Sequence, residues 1–324
     1  MGSRRGVGGG IPTHAIILPS VGPPGWGLAT RRRAATTRWA SEDGSRGADE
    51  DEDADEAILD VSYLSTRSWG VPWEGNLVVT GFLLWLGVFF AVGLFLAPEL
   101  ATLLHLRFTD PDALSDRAYF LLLDQVCETI AGLGLVYVLT RPYEPLPPKL
   151  FRISAARPFD ARDGWLLWAL IGIVASLFSV AITAYVVSLI KQPESAGTPG
   201  GTAEAVASML SDDPRTFASI LTVTSVLAPF LEEIVFRGFF MTTLTKWLPV
   251  PGAVVTSALL FAAAHLSPND FPQLAALGTV LGITYARTQN LLTPMLIHAF
   301  WNSSVLVLLE VLKLNGFDID KLVR

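Results

Sequence analysis

Apolar runs separated by short polar stretches recur along this chain from residue 77 to residue 312, and they predict seven helices. The first covers about Leu77 to Leu96 with no charged residue and ends before Pro98. Roughly twenty apolar residues suffice to cross the hydrocarbon core. The second, about Ala118 to Leu139, is interrupted by Asp124, Gln125 and Glu128. Asp124 and Glu128 are four apart, so they share a face that must look into a helix bundle or a wet cavity. The third, Trp165 to Ile190, is again free of charge, and the Pro, Gly and Ser of Gln192 to Thr202 mark a loop after it. Beyond Asp213-Pro214 four helices follow closely: about Thr216 to Leu244, Gly252 to Leu266, Pro272 to Ala286 and Leu292 to Leu312. The fifth and sixth hold only fifteen residues each, shorter than a full span, and must tilt or thin the bilayer. The pattern predicts an all-α polytopic transmembrane bundle of about seven spans, within a range of six to eight.

Composition agrees: 51 % hydrophobic against 16 % charged residues, with mean hydropathy +0.46. The Lys and Arg distribution supports seven crossings. Arg141, Lys149, Arg152, Arg157 and Arg162 crowd the loop between the second and third helices, and that loop, the N-terminus, Lys246 and Arg287 then fall on one side, facing cytosol, stroma or matrix. The net charge of −7 arises largely from one acidic run and argues against a nucleic-acid partner. Residues 1–41 carry six arginines and no acidic residue, the composition of an organelle transit peptide. Glu42 to Asp60 then hold ten acidic residues against one arginine, so 42–75 is expected to be an acidic disordered linker. The N-terminal helices (76–213), the helices from 214 to 312 and a solvated tail (313–324) complete the expected organisation. Cys127 has no second thiol to pair with.

Charges inside the apolar helices need a reason, because each costs roughly 2.5–3.5 kcal/mol at the bilayer centre even on insertion scales. Glu232, Glu233 and Arg237 sit together in the fourth helix. Glu233 and Arg237 are four apart and can pair, whereas Glu232 points about 100° away and needs another partner. His265 ends the apolar run from Phe261, and His298 lies four residues before Asn302 on one face of the last helix. An active site in the membrane between the last four helices is the expectation. A water between Glu232 and a histidine can attack a peptide carbonyl, with His298 and Asn302 donating to the oxyanion. Glu232, His265 and His298 equally provide the ligands of an open zinc site. No HExxH string is present, so the common soluble zinc-protease arrangement is excluded. The cofactor is therefore either none or zinc. Polar groups that merely bind helices together remain the non-catalytic alternative.

These three motifs resemble the type II CAAX endopeptidase group of intramembrane proteases, whose signature is EExxxR, FxxxH and HxxxN on neighbouring helices. Glu232-Glu233 with Arg237, Phe261 with His265, and His298 with Asn302 match in order, within residues 214 to 312. The resemblance implies a helical intramembrane endopeptidase in which Glu232 activates water, His265 holds or deprotonates it, His298 and Asn302 stabilise the oxyanion, and Glu233 and Arg237 position the site. It implies membrane-associated protein or peptide substrates, prenylated CAAX proteins among them, and the lipid bilayer as surroundings. It leaves open the oligomeric state, and a non-proteolytic membrane scaffold or chaperone of the same fold is the alternative. Together with the transit-like segment it points to a chloroplast membrane, thylakoid or envelope, with the mitochondrion or endoplasmic reticulum as alternatives.

Overall fold

The computed structural model describes residues 60–66, 69–190, 201, 206–211 and 213–317. The expected transit peptide (1–41), the acidic run to 59 and the tail from 318 lie outside the described residues. All described residues belong to one compact unit. It is all-helical, with no strand among the described residues. Its seven long helices are α1 (Leu77–Leu103), α2 (Leu114–Tyr143), α3 (Trp165–Ile190), α4 (Pro214–Leu244), α5 (Val250–Ala264), α6 (Phe271–Thr288) and α7 (Leu292–Leu314).

Each expected helix is present, in keeping with a polytopic helical bundle. By length and composition five helices can cross a membrane: α1, α2, α3, α4 and α7. α5 is apolar but short, and α6 carries Gln273, Thr279, Thr284 and Arg287. The reason is burial. α6 is enclosed by α3 and α5 and need not satisfy lipid on all sides. α4 is the most enclosed of the five spans, with 61 % of its apolar window buried against 11–28 % for the others. The bundle is built around α4, the helix that carries Glu232, Glu233 and Arg237.

α1 does not stop before Pro98. It passes through a π-helical turn, Val92–Leu96, and resumes as α-helix with Pro98 near the start of the new segment. A proline in a helix has no N–H to donate and crowds the preceding turn, and the wider turn accommodates both defects.

The linker ends earlier than expected. Residues 60–75 place Tyr63, Trp69 and Trp73 in the core. Trp73 donates from Nε1 to Thr243 Oγ1 at 2.9 Å, Trp69 stacks on Tyr285 at 5.5 Å, and the buried Arg287 guanidinium lies against Tyr63 and Trp168 and donates to the Asp60 carbonyl. Three aromatic side chains bury several hundred Å² of surface, enough to outweigh the acidic composition just upstream. The α2–α3 loop is fastened to the α6–α7 turn: Leu291 N–H donates to Arg152 O, and Asn290 exchanges hydrogen bonds with Ser154 in both directions at 2.7 and 3.0 Å.

α5 and α6 pack closely against each other. A Cβ at Gly278 would stand 3.1 Å from the Ala258 backbone, and one at Gly282 would stand 2.9 Å from Val254. Small residues at such crossings let backbones approach and pack by dispersion alone. Gly278→Val should therefore lower stability by about 1–3 kcal/mol or more through overpacking. Thermal unfolding in detergent micelles measures it, and an unchanged midpoint would show that the contact is looser than described.

Candidate active site

Two prolines shape the backbone of this unit, and the second sets the stage for the site. In α4 a π-helical turn, Val223–Leu227, precedes Pro229. The Ala228 N–H donates to Val223 O, skipping the Thr224 carbonyl, and Pro229 has no N–H to offer that carbonyl either. Thr224 O is thus left for a partner outside the helix. Asn302 of α7 takes it, with Nδ2 donating at 2.7 Å. Asn302 is held to α4 by a vacancy in the α4 hydrogen-bond ladder.

Immediately after Glu232 the helix widens again, into a nine-residue π-helical stretch, Glu233–Met241. Every residue of it is buried. Within it Arg237 Nη1 donates to Glu233 Oε1 at 3.0 Å, and neither side chain is more than 1 % exposed. Arg237 Nη2 also donates to the Gly278 carbonyl of α6 at 3.1 Å, and its guanidinium lies 4.5 Å from the centroid of the Phe261 ring. Glu233 Oε1 meets His298 Nδ1 as well, at 2.9 Å. One carboxylate oxygen therefore ties α4 to α7, and the arginine beside it ties α4 to α6. Isolated charges would be ruinous at this depth; a pair with these extra hydrogen bonds is sustainable.

Glu232 faces away from the pair, as the 100° offset requires, and its side chain retains 22 % exposure. Its Oε2 has no hydrogen-bond partner in the protein among the described residues. It lies 3.8 Å from His298 Nε2 and 4.0 Å from His265 Nε2. The tautomers follow from the far sides of the rings. His265 Nδ1 is 2.8 Å from the Phe261 carbonyl, which only accepts, so Nδ1 carries the proton. His298 Nδ1 faces the Glu233 carboxylate and carries a proton for the same reason. Both rings thus turn Nε2 toward Glu232. Gaps of 3.8 and 4.0 Å are too long for direct hydrogen bonds and leave room for a bridging water.

All four side chains, Glu232, His265, His298 and Asn302, line one cavity of about 310 Å3 between α3, α4, α6 and α7. Its remaining wall is mainly aliphatic, including Leu277, Leu306 and Leu309. His265 is not inside a helix as the apolar run suggested. It caps the C-terminus of α5, and Leu266 turns the chain at φ 52°. Among the described residues no group of three or more His, Cys, Asp or Glu side chains is already disposed to hold a metal ion, and no step below is routed through zinc.

Sequence reasoning gave Phe261 no task beyond its motif. Its ring is contacted edge-on by His265 and His298 and from the face by Arg237, and its carbonyl orients His265. Its four-residue spacing from His265 is the signal for that carbonyl bond. Thr224 and Pro229 were also missed, and only the proline inside an apolar run hinted at them.

Removal of the Glu233 carboxylate strands Arg237 in a dry interior. Glu233→Ala should cost about 3–5 kcal/mol, read as a lower unfolding midpoint in detergent, and a midpoint equal to that of the unaltered protein would mean that the pair is solvated.

Comparison with known proteins covers the same region. Residues 214–304 match the family described as type II CAAX prenyl endopeptidase Rce1-like. The chain is 26 % identical over 147 residues to a putative membrane peptidase, YdiL, of Bacillus subtilis, covering 44 % of this chain and 56 % of that protein. It is 29 % identical over 102 residues to the membrane-embedded CAAX protease MroQ of Staphylococcus aureus, covering 29 % and 40 %. An uncharacterised Bacillus subtilis protein, YpbD, is 33 % identical over 88 residues, 26 % of this chain and 42 % of that one. The match thus spans roughly half, or less, of the length of these curated relatives. No solved structure matches significantly. The helices that hold Glu232, His265, His298 and Asn302 therefore lie in the stretch of the chain that is similar to the Rce1-like CAAX prenyl endopeptidase family.

Proposed function

We propose that the protein is an intramembrane endopeptidase that hydrolyses peptide bonds of membrane-associated polypeptides. The observation that carries the reading is the convergence of Glu232 Oε2 on two imidazole Nε2 atoms in a cavity that also presents Asn302. A water donating to Glu232 and to His265 Nε2 is held with its oxygen free to attack. Glu232 takes its proton as the oxygen adds to the substrate carbonyl carbon, and His265 Nε2 accepts from the same water. The oxyanion that forms is met by an Asn302 amide N–H and by Nε2–H of His298, whose ring enters the step carrying both protons. Glu233 favours that doubly protonated ring by accepting from Nδ1, the task that a buried carboxylate performs in hydrolase triads. Glu232 then gives its proton to the departing amine as the C–N bond breaks, leaving a carboxylate and an amine. Glu233 and Arg237 position the site and touch no substrate.

The largely aliphatic wall suits an apolar polypeptide or lipid-bearing chain end, which supports membrane-associated substrates, with prenylated CAAX-type proteins as one class. The basic, acid-free residues 1–41 support residence in an organelle membrane, the chloroplast first.

Glu232→Gln keeps the shape and removes the base. In protein reconstituted into lipid vesicles and offered a peptide library, it should lose cleavage by at least about 100-fold while unfolding at the same temperature. Cleavage by the unaltered protein should persist in the presence of a zinc chelator. Cleavage by Glu232→Gln at the original rate would overturn the reading, and unchanged partner binding by an inactive protein would favour a scaffold.

A further inference from the structure

Glu128 has no part in the chemistry described so far, yet it lies on the wall of a second cavity that reaches the same carboxylate. This cavity, about 200 Å3, lies between α1, α2, α4 and the end of α5. Gln125 and Glu128 of α2 share it with Glu232 and His265, and α1 closes it with Trp85 and Val88. Glu232 and His265 are common to both cavities; His298 and Asn302 line only the larger one, and no residue of α1 or α2 lines that one. The wall between the two compartments is therefore the reacting carboxylate with one of its histidines.

A hydrolase must bring two reactants to one place. An apolar segment that fills the larger cavity displaces water from it, so the attacking water has to arrive from elsewhere. The smaller cavity is suited to hold it. It has room for several waters, and Gln125, Glu128, Glu232 Oε2 and His265 offer the several polar partners that buried waters require. An ionisable side chain at this depth is itself characteristic of a wet cavity.

We propose that the α1–α2 cavity is a water compartment separate from the substrate cavity, and that Glu128 is a positioning residue that holds water in line for Glu232. The second half of this inference rests on the endopeptidase reading; the first half does not. Gly132 supports the partition. A Cβ there would stand 2.8 Å from Leu231, so α2 and α4 are in direct contact beside the cavity.

Two measurements on the full chain in lipid vesicles separate these halves. In a Cys127→Ser background, Val88→Cys should react with a small, charged methanethiosulfonate reagent, which needs water and the thiolate. Leu83→Cys, on the lipid-facing side of the same helix and 63 % exposed, should not. In the cleavage assay, Glu128→Leu should lower kcat by about tenfold with KM unchanged within about twofold, while Glu128→Gln, which still hydrogen-bonds water, should stay within about threefold of the original kcat. Labelling at Val88→Cys no faster than at Leu83→Cys overturns the water compartment. A kcat unchanged in Glu128→Leu, or equally low in Glu128→Gln, overturns the role of Glu128. If the unaltered protein cleaves nothing, the endopeptidase reading falls with the role of Glu128, and the labelling alone decides the compartment.

Discussion

The buried pair of Glu233 and Arg237 is the constraint on which the remaining architecture depends. Two opposite charges with at most 1 % exposure survive in an apolar bundle only if they stay together and if their remaining donors and acceptors are met. Those additional partners come from two other helices: the Gly278 carbonyl of α6 and the imidazole of His298 on α7. The Phe261 ring of α5 covers the guanidinium. A helix that shifted would leave an uncompensated charge, so the register of four helices is fixed at one point. The glycines that bring α6 against α5 serve the same end, because the Gly278 carbonyl reaches Arg237 only when α6 is close.

Fixing that point gives the adjacent glutamates opposite fates. Glu233 is spent on structure, accepting from Arg237 and His298 at once. Glu232, one residue away and on another face, keeps an oxygen without a partner and looks into open volume. Neither position alone makes a site. A carboxylate in a cavity becomes useful when a second one beside it holds the imidazole that faces it. The same logic reaches Asn302, which is anchored because Pro229 leaves the Thr224 carbonyl without a helical donor.

Much of this is legible in the chain, and the failures have physical causes. The four-residue spacings of Glu233 with Arg237 and of His298 with Asn302 survive even where α4 widens, since both pairs still share a face. The seven helices follow from apolar runs, yet length alone could not tell lipid-facing spans from α6, whose polar residues are sheltered by neighbouring helices. The π-helical turns near Pro98 and Pro229 have no signature in a 3.6-residue period, so α1 was expected to stop where it continues. His265 reads as part of an apolar run and instead caps one. Trp69 and Trp73 were assigned to a linker because composition averaged over 42–75 is dominated by its acidic first half. The second cavity is a property of packing between distant helices, and only the four-residue spacing of Asp124 and Glu128 pointed to a wet face.

The central chemical claim is that a water held by Glu232, and not a side chain of the protein, attacks the peptide bond. Mass spectrometry of products formed in oxygen-18 water tests it most directly. The account predicts one oxygen-18 atom in each new C-terminal carboxyl group during single turnover and no added mass on the protein at any time. A covalent adduct between protein and substrate, or a new carboxyl group without the label, would contradict it.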